Sequence, residues 1–157
     1  MTIIAYRNGI MACDSCWASI STGLIDSLQT KISRLEGGVL YGAAGDADDR
    51  VVVETFNKIK RPKQIPSVQK LKKMEADVDA LLVFPSGDIY SVLTGEKNAE
   101  CMRIAREFHA TGSGHQLALG AMAMGATAVQ AVEVACKYNI QCRPPICTLA
   151  LVTRRGN

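Results

Sequence analysis

The sequence predicts an α+β domain in which antiparallel sheets carry helices layered on their faces. Three observations lead there. Strand-like runs come as neighbours joined by short turns, at Asn8-Gly9, Glu36-Gly37-Gly38 and Pro85-Ser86-Gly87-Asp88. Helical periodicity is confined to one segment in the first half and an Ala-rich pair near the end, so it does not alternate with single strands as a parallel sheet requires. The 157 residues, 48% hydrophobic and 21% charged, fit one domain spanning 1–157. A chain of that length buries roughly 70% of its unfolded surface without a metal or disulfide staple.

Taken in order, Thr2 to Arg7 is β-branched and apolar, and Asn8-Gly9 is a strong two-residue hairpin signal that returns Ile10 to Asp14 as a second strand. The extreme N-terminus is therefore expected inside a sheet. Ser15 to Asp26, rich in Ser, Thr and Gly, reads as a loop or weak strand. Thr30 to Leu35 and Val39 to Ala43 are the next pair. Gly42-Ala43-Ala44-Gly45-Asp46 leads into a helix over Asp48 to Lys60, where Val52, Val53, Phe56 and Ile59 recur at helical spacing. Asp46, Asp48 and Asp49 sit where carboxylates suit a helix N-terminus, and Arg61-Pro62 ends the helix. Lys63 to Glu75 is expected to be a linker or short exposed helix. Val78 to Phe84 and Ile89 to Leu93 form a further hairpin, followed by a polar stretch. Phe108 to Thr111 runs into Gly112-Ser113-Gly114, then two helices, Leu117 to Met124 and Ala128 to Lys137, broken at Gly125. Ile146 to Thr153 is a last strand.

Composition excludes several functions. A net charge of +3 is too small to argue for nucleic acid, and the basic run from Lys58 to Lys73 lacks interleaved aromatic residues, so it reads as a solvated face. No apolar run approaches the ~20 residues of a spanning helix, so no membrane partner is expected. The start Met1-Thr2-Ile3-Ile4-Ala5 has neither a basic region nor a cleavage site, which points to the cytoplasm and to reduced cysteines. Cys13 and Cys16 form one C-x-x-C, with Cys101, Cys136, Cys142 and Cys147 elsewhere and only His109 and His115 to join them. A zinc site usually shows two such pairs, so the thiols read as small hydrophobes, and no metal or cofactor is expected.

The chemistry concentrates at the start. Thr2 is small enough for an aminopeptidase to remove Met1, and removal leaves an α-amine beside the Thr2 hydroxyl. That amine, with a pKa near ~8, can serve as general base for the hydroxyl, so one residue supplies nucleophile and base. The run Thr2 to Gly9, Ala12-Cys13-Asp14, Thr30-Lys31-Ile32, Gly42 to Asp46 and Ala110-Thr111-Gly112-Ser113-Gly114 resembles, in order and spacing, proteasome β-subunits and the HslV peptidase. The resemblance covers nearly the whole chain. It implies an N-terminal nucleophile hydrolase with a four-layer αββα sandwich, cleaving peptide bonds inside a ring-shaped or other self-assembled compartment fed by a separate ATP-dependent unfoldase.

Carried over by position, the resemblance makes Thr2 the nucleophile. Lys31 would point its ammonium at Thr2 and lower the pKa of amine and hydroxyl. Asp14 would pair with Lys31 and orient it; an ordinary salt bridge is the alternative, though both lie on strand-like runs where lone charges are costly. Gly45 would offer its N–H to the oxyanion, a side chain there blocking close approach, with Gly42 in that role if the register slips. Ser113 would hydrogen-bond the Thr2 amine, the alternative being a helix N-cap. The sequence departs from the family at Asn139, where an Asp is usual, so a charge is lost while hydrogen-bonding capacity remains. A chain retaining Met1 has an amide, not an amine, at Thr2. Two functions follow: a threonine peptidase active once Met1 is gone, and a proteasome-like scaffold without activity. The intact Thr2, Asp14, Lys31 and Ser113 set favours the first.

Overall fold

A computed structural model describes residues 2–19, 23–26 and 31–152. The expectations for Met1, Thr30, Thr153 and residues 20–22 lie outside the described residues. A four-stranded antiparallel sheet has the order β10 (Phe108–Thr111), β1 (Ile4–Arg7), β2 (Ile10–Cys13), β11 (Cys147–Ala150). A five-stranded antiparallel sheet has the order β5 (Ile32–Arg34), β6 (Leu40–Gly45), β7 (Val78–Val83), β8 (Ile89–Leu93), β9 (Glu100–Ile104). The helices are α1 (Arg50–Phe56), α2 (Val68–Leu71), α3 (His115–Ala123) and α4 (Ala128–Tyr138).

The period-two alternation of the strands builds the layers. Along β1 and the residue before it, Ile3 and Ala5 pack with Ala118, Met122, Ala131 and Val132 of α3 and α4. Ile4 and Tyr6, on the opposite face, join Met11, Ile32, Leu40, Leu81 and Val83 between the two sheets. In β7 the alternate residues Val78, Ala80 and Leu82 face outward, under Val52 and Phe56 of α1 and Leu71 of α2. The central strands of each sheet are thus buried on both faces, and the order is helix, sheet, sheet, helix. Among the described residues, no helix is long and apolar enough to cross a membrane.

The turns follow their chemistry. Asn8 (φ 49°) and Gly9 (φ 80°) both take the left-handed backbone that a two-residue hairpin of this kind requires. Asp49 caps α1 by accepting from Val51 N and Val52 N, so the helix begins two residues later than its periodicity predicted and is shorter at both ends. Thr127 and Gln130 form a reciprocal capping box on α4.

One stretch differs from expectation, and another takes the weak-strand alternative of an open reading. The polar segment after Leu93 contains β9, paired to β8 from Ile89↔Ile104 to Leu93↔Glu100. It is a sheet edge, where charged and polar side chains are tolerated because one face sees solvent. The Ser-rich segment after Asp14 contains two short strands, β3 (Cys16–Ser19) and β4 (Gly23–Asp26), that pair with each other.

Candidate active site

Strand register assembles the site. Ile4 lies opposite both Cys13 of β2 and Thr111 of β10, so β1 is the middle strand at the N-terminal end. Continuing those registers past the strand ends sets Ile3 against Asp14 and Thr2 against Ser113. The hydrogen bonds agree: Asp14 N donates to the Ile3 carbonyl at 3.2 Å, and Ile3 N donates to Asp14 Oδ1 at 2.9 Å. Thr2 N donates to Ser113 Oγ at 3.2 Å, and Ser113 Oγ lies 3.2 Å from the Thr2 carbonyl, to which it donates.

Asp14 is fully buried and its carboxylate is held from several sides. Oδ1 takes the Lys31 ammonium at 2.9 Å as well as Ile3 N–H; Oδ2 takes Cys16 N–H at 3.2 Å and Arg143 N–H at 3.3 Å. Lys31 enters from the other sheet, immediately before β5, and its side chain is only 5% exposed. Burying a charged pair is costly unless further hydrogen bonds satisfy the carboxylate, and here the backbone supplies them. The pair sits one peptide unit from Thr2, so the first strand carries a fixed ammonium and carboxylate beneath its leading residue. Thr2 itself is buried, 5% exposed.

The Gly112-Ser113-Gly114 turn wraps the Thr2 carbonyl. Gly112 has φ 90°, and a Cβ there would lie 2.3 Å from Thr2 O, so only glycine fits. Its N–H reaches Asp79 Oδ2 at 3.3 Å, and its carbonyl accepts from His115 N at 3.1 Å and lies 2.7 Å from His115 Nδ1. Asn139 Nδ2 donates to the Ser113 carbonyl at 2.9 Å, while its Oδ1 accepts from Gln141 N at 2.9 Å. An ionised Asp at 139 would set a carboxylate oxygen against that carbonyl, so the amide suits this turn. Ser113 does not cap α3, whose cap residue is Gly114 and which has no side-chain cap bond.

Gly45 ends β6 at φ 87° and lines a cleft of about 840 Å³ together with Ala44, Asp79, Gly112 and Ser113. Glycine is required there for a reason the sequence did not show: a Cβ would stand 2.1 Å from the carbonyl oxygen of Asp77, the residue before the adjacent strand β7. Gly42 is elsewhere. Its Cβ would meet Ile4 at 2.8 Å and Ile32 at 3.0 Å, so it lets the two sheets close and is not part of the cleft wall.

Thiols border the buried pair. Cys13, Cys16 and Cys142 are buried, and Cys101, Cys136 and Cys147 are half-buried. Cys142 Sγ lies 3.9 Å from Ser113 Oγ. Burial, reinforced by the Asp14 charge, pushes the Cys136 thiol up to about 12 and raises that of Cys142. Both are therefore protonated at neutral pH and act as apolar packing. Among the described residues, no group of three His, Cys, Asp or Glu could hold a metal ion. Sequence reasoning missed Gly112, Asp79 and the use of Asn139; the glycine before Ser113 was visible, but its contact with Thr2 depends on a strand pairing more than a hundred residues apart.

No model of a known protein family matches the chain, and no curated protein matches it in sequence. Solved structures do match. BPH from Thiobacillus denitrificans in complex with epoxomicin superposes with a TM-score of 0.68 at 19% identity, over 97% of this chain and 98% of that one. BPH from the same organism gives 0.66 at 20%, over 99% of each chain. Eukaryotic HslV from Trypanosoma brucei gives 0.69 at 14%, over 95% of this chain and 98% of that one. The chain therefore has the fold of these structures, a four-layer αββα sandwich, and that fold is HslV-like.

Proposed function

We propose that this chain is a threonine peptidase whose nucleophile is Thr2 once Met1 has been removed. The observation that carries the reading is the environment of the first strand's end: Ser113 Oγ on the Thr2 nitrogen, with the Lys31–Asp14 pair held one residue away. The processed amine accepts the hydroxyl proton as Oγ attacks the peptide carbonyl. Lys31 favours the alkoxide and disfavours the protonated amine. The tetrahedral oxyanion is held by the Gly45 N–H, collapse expels the leaving amine with the transferred proton, and water hydrolyses the ester to regenerate Thr2. Asp14 keeps Lys31 in place. The HslV-like fold supports assembly into a ring or other compartment, with unfolded polypeptide as substrate, an ATP-dependent unfoldase as partner and the cytoplasm as location.

Three preparations test this: the chain lacking Met1 (verified by intact mass), the chain retaining it, and Thr2→Ala. Only the first should cleave a fluorogenic peptide amide and gain mass on its N-terminal peptide with epoxomicin, the compound bound in one structural neighbour. Light scattering on the same sample should give a mass far above 16.9 kDa. Equal cleavage by all three removes Thr2 as the nucleophile, and no reaction by the processed chain transfers the protein to the scaffold reading.

A further inference from the structure

Asp79 plays no part in the chemistry above, yet it stands against the turn that holds Thr2. It lies on β7 opposite Ala44, the residue before Gly45, and its Oδ2 accepts the Gly112 N–H at 3.3 Å. The cleft it lines carries other charges: Asp77, Glu100, Lys72 and Lys97. Those four are exposed, whereas Asp79 is half-buried. A charge in a partly desolvated position acts more strongly on a ligand than one fully in water, so among the charges lining this cleft Asp79 is the one least screened.

Among the described residues its carboxylate accepts one long backbone hydrogen bond and takes part in no salt bridge, the cleft's Lys72 and Lys97 being exposed. Across the sheets the charge of Asp79 acts on His109 of β10, where burial holds the imidazole below its usual range against the pull of Asp79, with His115 and Arg106 adding to the lowering. His109 is therefore neutral at pH 7 and supplies no counter-charge. A cationic group entering the cleft would.

We infer that Asp79 forms a subsite for a cationic side chain, so that the peptides taken are those with Lys or Arg beside the bond at Thr2. The substrate class rests on the peptidase reading; the cation subsite itself does not. The ammonium or guanidinium binds the carboxylate oxygen not engaged by Gly112, and the remaining hydrogen bond keeps the carboxylate aimed along the cleft.

Binding is measured on Thr2→Ala, which cannot turn over, by fluorescence anisotropy with matched labelled peptides carrying Lys, norleucine or Glu at one position. The Lys peptide should bind about tenfold more tightly than norleucine, equivalent to ~1.4 kcal/mol, and Glu more weakly still. Adding Asp79→Asn, which keeps an acceptor for Gly112 N–H, should reduce the Lys preference to within about twofold, and Asp79→Lys should reverse it towards Glu. A Lys preference unchanged in Asp79→Asn, or none in the parent, overturns the subsite. Cleavage by the processed chain is read in parallel. Charge-dependent binding without any cleavage refutes the peptidase and leaves the subsite; cleavage without charge preference does the reverse.

Discussion

Lys31 and Asp14 are partners with unequal structural duties, and deleting each in turn should expose the difference. Lys31→Met keeps the apolar stem and removes the ammonium. Asp14 then retains the Ile3, Cys16 and Arg143 N–H donors, three of its four contacts. A carboxylate held by that many backbone donors is far from uncompensated, so the cost should fall below the ~3–5 kcal/mol usual for half a buried pair, at about 2 kcal/mol. Asp14→Ala instead takes the carboxylate from a side chain 5% exposed and from three backbone N–H groups. At ~3–5 kcal/mol for the ammonium and ~1 kcal/mol for each hydrogen bond, the loss approaches the whole stability of an ordinary domain. For a chain of this size, thermal unfolding should drop by ~4–8 °C in Lys31→Met, while Asp14→Ala should be largely unfolded at 37 °C. Peptide-amide turnover by processed Lys31→Met should fall by at least ~100-fold while its circular dichroism stays native. Equal destabilisation by the two variants would refute the claim that the backbone holds Asp14. Full turnover in Lys31→Met would remove the ammonium from the mechanism.

Gly45→Ala should lose ~2–4 kcal/mol in urea unfolding, because a Cβ meets the Asp77 carbonyl at 2.1 Å on a left-handed backbone; a stable variant would show that the strand end can shift, and its turnover would then test the oxyanion role. Asn139→Asp exchanges the donor on the Ser113 carbonyl for an ionised acceptor, so stability should fall by ~1 kcal/mol and kcat should drop at pH 7; unaltered kinetics would make Asn139 a passive cap. His109 has a lowered pKa in the folded chain, chiefly through burial. Its contribution is complete above the unfolded value of ~6.5 and is lost as pH falls from there through the folded value, because the unfolded state takes the proton first. Urea midpoints at pH 7.5 and 5.5 should therefore differ less in His109→Gln than in the parent, and an identical difference would exonerate His109.

How much of this was legible depends on the distance along the chain between partners. The Asn8-Gly9 turn fixes Arg7 against Ile10 and hence Ile4 against Cys13, so the adjacency of Asp14 to the N-terminal end of β1 was readable from ten residues of sequence. The apolar alternation gave β5 through β8 for the same local reason. Helix α1 was overextended because Ile59, buried at 1% exposure, kept the helical spacing while sitting beyond the helix end on an irregular turn. The strand β9 was missed because an edge position removes the alternation that marks a strand: Glu100, Met102 and Arg103 are all exposed.

The second half of the site was legible only through resemblance, and the register explains why. Ser113 meets Thr2 because β10 pairs with β1 at Ile4↔Thr111, a contact spanning 107 positions that no local pattern encodes. Lys31 comes from the other sheet entirely, brought over Asp14 by the Ile4, Ile32 and Leu81 core between the sheets. Gly42 belongs to that same closure, since a Cβ on it would push Ile4 and Ile32 apart. A slip of one residue between β1 and β10 would set Gly112 or Gly114 opposite Thr2 and turn Ile4 out of the inter-sheet core, so packing and site geometry select the same register. The apolar alternation that stabilises the sandwich is thus also what holds Ser113 against Thr2. Asp79 falls outside that logic: it is a half-buried carboxylate within the apolar run of β7, placed by its hydrogen bond to Gly112 N–H and not by apolar packing. One backbone hydrogen bond from Gly112 leaves its second oxygen for a partner, and that partner is best sought in the ligand.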